Sequence, residues 1–117
     1  MAAFKASHRY ARISARKVRP LADLIRGEYA SDALDLLRYQ PQRGARMLEK
    51  VIRSALGSAQ DPDQTRGQRI DVDRLVISEA RIDGGPMFKR IRPRARGMAF
   101  MIKKRMAHIH VVLSDED

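Results

Sequence analysis

The stretch KRIRPRARGMAF, Lys89–Phe100, decides how the rest of the chain is read. Its first eight residues hold five cations, Lys89, Arg90, Arg92, Arg94 and Arg96, and none of its residues is acidic. Pro93 and Gly97 stand inside it as turn residues. Apolar residues alternate on both sides of it. Upstream, Leu75 and Ile77 alternate with Val76 and Ser78, and the period of two sets in from Val72. Downstream, Ile109, Val111 and Leu113 alternate with His108, His110 and Val112. Period-two alternation predicts strands. The two runs therefore read as one antiparallel hairpin that turns near Pro93–Gly97, with Val76 opposite Leu113 and Ile91 opposite Met98. Gly84-Gly85-Pro86 should interrupt its first arm with a bulge or bend.

The length of this hairpin is informative. Val76 to Pro93 spans roughly 55 Å at about 3.3 Å per residue. A globule built from the rest of the chain is only roughly 30 Å across. The outer half must project, and an isolated two-stranded ribbon is marginal in water. Like charges along it make matters worse. Such an arm needs a large anionic partner.

The charge distribution points the same way. The chain has 117 residues, a net charge of +10 and no Cys or Trp. Its size suits one domain, with a body over about 1–80 and 106–117 and an extended hairpin over about 81–105. Residues 1–26 carry +6 and residues 81–105 carry +8, whereas 27–80 carry −1 and 106–117 carry −3. A solvated surface interleaves both signs, and these two blocks do not. Two separate basic blocks suggest one polyanion gripped from two directions. Arginine binds phosphate through a planar fork and stacks on bases, which favours nucleic acid over a membrane surface. No apolar run approaches the ~20 residues of a membrane span.

The remaining elements build the body. Phe4, Ala6, His8 and Tyr10 fall on one side of an extended arm over Phe4–Ile13. Ser14 is a good N-cap for a helix with Val18, Leu21, Ala22 and Ile25 inward, ended by Gly27. Pro20 should either kink this helix or begin its regular part. Arg16, Lys17 and Arg19 crowd the positive end of its dipole, at a cost to stability that a bound anion would offset. Ser31 caps a short helix over Asp32–Tyr39 with Ala33, Leu36 and Leu37 inward. The strongest helix spans Gln42–Ala59, with Leu48, Val51, Ile52, Ala55, Leu56 and Ala59 in one stripe. Gln60–Gln68 reads as a loop. On composition the basic N-terminus also resembles a mitochondrial presequence, but it runs straight into a helix that the fold needs.

Sites of chemistry are sparse. His108 and His110 share a strand face that His8 could join, a weak metal pattern without Cys or convergent carboxylates; a sheet surface touching RNA explains them better. The serines lie in no nucleophile elbow, and Asp71, Asp73 and Glu79 read as solvated strand ends. No phosphate-binding or dinucleotide loop is present. The acidic tail SDED reads as a solvated terminus.

Three segments resemble a known family. ARISARKVRPLADLIRG (Ala11–Gly27), DGGPMFKRIRPRARG (Asp83–Gly97) and KKRMAHIHVVLSD (Lys103–Asp115) are similar, in order and spacing, to the bacterial large-subunit ribosomal protein number twenty-two family. The resemblance implies an α+β fold: a compact body of about three helices on a small antiparallel sheet, with one long protruding β-hairpin. It implies a non-enzymatic, structural constituent of the cytoplasmic ribosome that needs no cofactor or metal, binds large-subunit ribosomal RNA and clamps several RNA domains. Arg9, Arg12, Arg16, Lys17 and Arg19 would form one RNA face. Lys89, Arg90, Lys103, Lys104 and Arg105 would run along RNA in the shaft. Arg92, Pro93, Arg94, Ala95, Arg96 and Gly97 would be the tip lining the exit tunnel. Partners would be that RNA, neighbouring large-subunit proteins and the nascent peptide, with no membrane and no homo-oligomer. The chain departs from the family in being apolar at Met98, Phe100 and Met101, and in having Ala15 and Pro20 where proline and an aliphatic residue are usual. A free-standing basic DNA- or RNA-binding regulator is the other reading the residues allow.

Overall fold

The computed structural model describes residues 3–61, 65, 67, 70–93 and 95–115. The Gln60–Gln68 loop therefore lies largely outside the described residues, as do Arg94 and the last two residues of the acidic tail. Strand β1 (Ala3–Ala11) is followed by helices α1 (Ala15–Ile25), α2 (Ala30–Arg38) and α3 (Arg43–Gln60), then by strands β2 (Leu75–Pro93) and β3 (Ala99–Asp115). The strands form one antiparallel sheet in the order β1-β3-β2. The architecture is the α+β fold with a long hairpin that the sequence implies.

Alternation builds the sheet's inner face. Ala107, Ile109, Val111 and Leu113 of β3 are buried, while His108, His110 and Val112 are only half-buried. Phe4 lies opposite Leu113 on one side and Ile77 lies opposite it on the other, so this rung spans the whole sheet. Helix α3 packs on β1 and β3, α1 packs on β2, and α2 packs on α3. The helical stripes meet this face: Val18, Leu21, Ala22 and Ile25 from α1, and Leu48, Val51, Ile52, Ala55 and Ala59 from α3. Gly44 sets how closely α3 approaches α1, because a Cβ there would meet Leu21 Cδ1 at 3.2 Å and Val18 Cγ2 at 3.3 Å.

The hairpin reaches far beyond this core. The molecule extends 65 × 27 × 17 Å with a radius of gyration of 17.5 Å, against about 13 Å for a compact chain of this length. Beyond Met87 and Arg105 the shaft is exposed except for a half-buried Ile102. It ends in a turn over Ala95–Gly97 in which Arg96 (φ 66) and Gly97 (φ 68) are left-handed.

Several local expectations are corrected. Tyr10 does not continue the inward side of β1. It takes a positive φ (59) where the register slips between His8 and Ala11, so Ala11 is buried in its place. Its N–H is held by His108 Nδ1 at 3.0 Å, which fixes this bulge. Of the two expectations for Pro20, that it begins the helix is overturned: it sits on the exposed side inside α1, where it leaves the Arg16 carbonyl without its helical donor. Ser14 occupies the N-cap position of α1 without a side-chain cap bond. Helix α2 begins after Tyr29 rather than after Ser31, because Ala30 is already packed, and Leu36 falls outside its Ala30–Ala33–Leu37 stripe. Val72–Arg74 is a 3-10 turn rather than strand, stabilised by Asp71, whose carboxylate accepts from the Asp73 N–H at 3.1 Å.

The hairpin register also differs from expectation. Val76 faces Ser114, and Ile91 faces Met101. The shift accumulates at two irregularities of β2, the expected one between Gly84 and Met87 and an unexpected one between Ile77 and Glu79. At the first, Gly85 lies so close to β3 that a Cβ would stand 3.2 Å from the Met106 carbonyl oxygen.

The outer edge of β2 is covered at its root. The Ile77 carbonyl accepts from the Gly27 N–H at 2.9 Å, and Ile77 N–H donates to the Glu28 carbonyl at 2.9 Å. Further along, Arg26 Nε donates to the Ala80 carbonyl at 2.9 Å, and Arg19 Nη2 donates to that of Ile82 at 3.2 Å. Leu48 is fully buried where α3 meets the sheet. Leu48→Ala should lower stability by about 2–5 kcal/mol, through reduced burial and a residual cavity, without changing secondary structure. A urea titration followed by circular dichroism measures this, and a loss below about 1 kcal/mol would mean that α3 is not the centre of the core.

Candidate nucleic-acid interface

Part of the charge is neutralised within the chain, and much of that on the N-terminal block and the arm is not. Glu49, buried on α3, is paired with Arg46 and lies 3.6 Å from Arg53. Arg46 also donates to the Arg38 and Gln40 carbonyls at 3.0 and 2.7 Å, tying the α2–α3 connection. Arg26 pairs with Asp23, and Arg81 bridges Glu79 at 3.6 Å and Asp83 at 3.2 Å. By contrast, Arg9, Arg12, Arg16, Lys17, Arg19, Lys89, Arg90, Arg92, Arg96, Lys103, Lys104 and Arg105 are in no ion pair among the described residues. All of them are exposed.

The fold brings part of these two groups together: Arg12, Arg16 and Arg19 share clefts with Arg90, Lys104 and Arg105, whereas Arg9, Lys17, Lys89, Arg92, Arg96 and Lys103 line neither cleft. One cleft, of about 480 Å³, lies between the start of α1 (Ser14, Ala15, Arg16, Arg19) and the hairpin root (Gly84, Gly85, Met87, Arg105). Another, of about 650 Å³, is lined by Arg12, Arg43, Phe88, Arg90, Lys104, Arg105 and Met106. Neither has an acidic lining residue among those described. Helices α1 and α3 both begin at these clefts with cations and no acid in their first turn. That is the reverse of what a helix dipole favours, and a bound anion would reverse the penalty.

The register sorts the shaft into rungs, since paired residues share a face. Met87 faces Arg105, Phe88 faces Lys104, Lys89 faces Lys103, Arg90 faces Ile102, Ile91 faces Met101 and Arg92 faces Phe100. Most rungs combine one cation with one apolar group. Lys89 and Lys103 repel across the ribbon, while Ile91 and Met101 present an exposed apolar rung. Arg90 lies 5.4 Å from the Phe88 ring centroid, and Arg9 lies 5.7 Å from that of Tyr10.

Known proteins resemble this chain in sequence. The family model described as "Ribosomal protein L22p/L17e" matches residues 6–114. The chain belongs to that ribosomal protein family. It is a family of structural ribosomal components and not of enzymes. The chain is 67% identical over 114 residues to the large ribosomal subunit protein uL22 of Rhodopirellula baltica, covering 97% of this chain and 96% of that one. It is 48% identical over 112 residues to the protein of the same name from Caldicellulosiruptor saccharolyticus, covering 96% and 88%. It is 44% identical over 113 residues to that of Akkermansia muciniphila, covering 97% and 96%.

Not every basic residue singled out in the sequence is equally available. Arg19 both lines a cleft and holds the Ile82 carbonyl, so part of its guanidinium is engaged in docking α1 on the hairpin root. Pro93, Arg96 and Gly97 form the end of the arm, with Arg92 on the adjacent rung, while Arg94 lies outside the described residues. The histidines bond within the sheet. His110 Nδ1 is 2.9 Å from Ser7 Oγ and its Nε2 is 3.4 Å from Asp83, and His108 contacts Tyr10 edge-on. His8 does not join them, because it lies opposite Ile109 on the helix-covered face. Arg43 and Phe88 were not singled out from the sequence. Arg43 carried a signal nonetheless: it follows Pro41-Gln42 at a helix start, as Arg16 follows Ser14. It donates to the Arg12 carbonyl, which joins α3 to the end of β1.

Because Lys89 and Lys103 face each other, Lys103→Glu should stabilise the free hairpin by about 0.2–1 kcal/mol while weakening any polyanion contact. Amide hydrogen exchange along the shaft of the isolated protein checks the first effect. Faster exchange in the variant would contradict the rung assignment.

Proposed function

We propose that the protein is an RNA clamp: its N-terminal cations and its shaft cations grip large-subunit ribosomal RNA together, and its arm passes between RNA domains that would otherwise repel. Family membership makes the chain a structural constituent of the large ribosomal subunit. What supports the finer reading is the meeting of Arg12, Arg16 and Arg19 with Arg90, Lys104 and Arg105 on clefts that have no acid among their described lining residues. Arg9, Arg12, Arg16, Lys17 and Arg19 act from the body, and Lys89, Arg90, Lys103, Lys104 and Arg105 act from the shaft. Recognition rests mainly on phosphate and RNA shape. The tip, Arg92 to Gly97, lines the exit tunnel and meets the nascent peptide, a reading supported by the length of the arm. On this reading the body over about 1–80 and 106–117 and the arm over about 81–105 work as one domain, on the ribosome in the cytoplasm. Among the described residues no helix is long and apolar enough to cross a membrane.

The test is a titration of the full chain on large-subunit RNA fragments at several salt concentrations. With six to ten phosphate contacts, affinity should fall by roughly three to five decades between about 50 and 200 mM salt. Replacing Lys104 and Arg105 with Gln should make the slope shallower by about 0.7–0.9 for each phosphate left without its cation. A binding constant indifferent to salt would defeat the clamp. Sucrose-gradient fractionation of cells then separates the two readings of the sequence: sedimentation with the large subunit is expected, and recovery only at the top would indicate a free-standing regulator.

A further inference from the structure

We propose that the cleft between the start of α3 and the hairpin root holds one unpaired RNA nucleotide, with its base stacked on Phe88 and its phosphates among Arg12, Arg43, Arg90 and Lys104. The proposal rests on the RNA-binding reading and deepens it, by adding one base contact to an interface otherwise made to phosphate.

The cleft's composition is the decisive observation. A site for phosphate alone needs donors and no ring. Here Phe88 is 47% exposed, in a wall otherwise made almost entirely of cations. Its position on the ribbon is set by the pairing with Lys104, and Arg90, two residues on, places its guanidinium 5.4 Å from the ring centroid. Aromatic rings interleaved with cations are the platform on which bases of single strands stack, and a guanidinium plane can stack on a base as well. A paired base keeps its faces inside the helix, so a stacking wall selects an unpaired one.

One wall of the cleft is restrained. Arg43 donates to the Arg12 backbone carbonyl, which holds the Arg43 guanidinium across from the hairpin. The volume of about 650 Å³ falls within the range of small-molecule sites. Phe100 offers a similarly exposed ring, but it lies far out on the shaft and lines neither of the two clefts beside the body. An apolar protein side chain would match Phe88 and leave the surrounding cations without anions, whereas a nucleotide matches both.

The experiment uses the full chain and a short single-stranded RNA with 2-aminopurine at one central position. At low salt, binding should quench the probe's fluorescence. Phe88→Leu, which keeps an apolar group at an exposed site, should abolish the quenching and weaken binding at least about fivefold, the lower end for one base–aromatic stack. Its salt dependence should not change. Phe88→Tyr should restore both. Arg43→Gln should weaken binding and make the salt slope shallower by about 0.7, the value for one phosphate of a single strand. The same RNA made abasic at the probe position should bind the natural protein no better than the intact RNA binds Phe88→Leu. Circular dichroism confirms that each variant is folded.

Quenching that survives Phe88→Leu, or abasic RNA bound as tightly as intact RNA, overturns the stacking site. Salt-dependent binding would persist in that case and leave the clamp standing. No RNA binding at any salt overturns both. Polyglutamate displacing the RNA from the cleft at equal charge, with no effect of Phe88→Leu, would show a site for acidic chains and also overturns the proposal.

Discussion

The structure depends on the regularity of β3. Over its inner half this strand is paired on both edges, to β1 and to β2, and beyond Ala107 it is paired to β2 alone. Each slip of register places its extra residue on a partner: between His8 and Ala11 on β1, and between Ile77 and Glu79 and between Gly84 and Met87 on β2. One extra residue in β3 would move Ala107, Ile109, Val111 and Leu113 to the opposite face, and those residues are the share of the core that β3 supplies. The core therefore fixes the pleat of β3, and β3 carries that pleat out into solvent. Arg105, Lys103 and Met101 stand on the continuation of the buried face, and Lys104, Ile102 and Phe100 stand on the other. Which side of the arm each proposed contact residue occupies is thus decided by packing some distance away.

Charge divides the molecule along the same line. Where the sheet is backed by helices, arginines are used as structural donors. Arg46 closes the α2–α3 connection, and Arg26 and Arg19 satisfy carbonyls on the outer edge of β2. An exposed strand edge invites pairing with another chain, and these guanidinium groups together with Gly27 occupy that edge at the root. Farther out, the only side-chain bond to a β2 carbonyl among the described residues lies within the strand itself, from Arg90 Nη1 to the Lys89 carbonyl at 3.2 Å. There Lys89, Arg90 and Arg92 on β2, and Lys103, Lys104 and Arg105 on β3, give the edges a charge that repels a second copy of the same arm. The cations proposed to meet RNA thus also place like charge on the edges of the free arm.

The broad architecture was legible because periodicity survives in a linear string. The stripes of α1 and α3 and the alternation in β3 are each set by one element against one core, and all three appear where the sequence places them. Most of the misreadings share a physical cause, a contact made by residues far apart in the chain; the Val72–Arg74 turn is the exception, held by Asp71 two residues from Asp73. The positive φ of Tyr10 is held by His108, and nothing around Tyr10 announces it. The bulge after Ile77 contains no glycine, unlike the one at Gly84-Gly85. The early start of α2 follows from Tyr29 bridging to Val76 and Ala30 entering the core, which outweighs the local preference of Ser31 for a cap. The cleft itself was invisible for the same reason. Arg43 stands at a helix start as Arg16 does, and Phe88 is ordinary in its own segment; the two come together only where the start of α3 and the hairpin root meet.

The rungs of the shaft explain how an arm with no core can be both extended and receptive. A cross-strand apolar pair such as Ile91 and Met101 contributes about 0.2–1 kcal/mol, and a facing like-charge pair such as Lys89 and Lys103 takes away a similar amount. Alternating such rungs leaves the backbone ladder formed but the arm close to marginal. Ile91 is 75% exposed, so even the favourable rung is only half used while its outer side faces water. An anion beside Lys89 and Lys103 removes the unfavourable rung, and a surface against Ile91 and Met101 completes the favourable one. Both changes stabilise the ribbon by the same contact that binds it. Order in the arm and occupancy of its partner are then a single equilibrium, anchored at the body by β3 and completed outward.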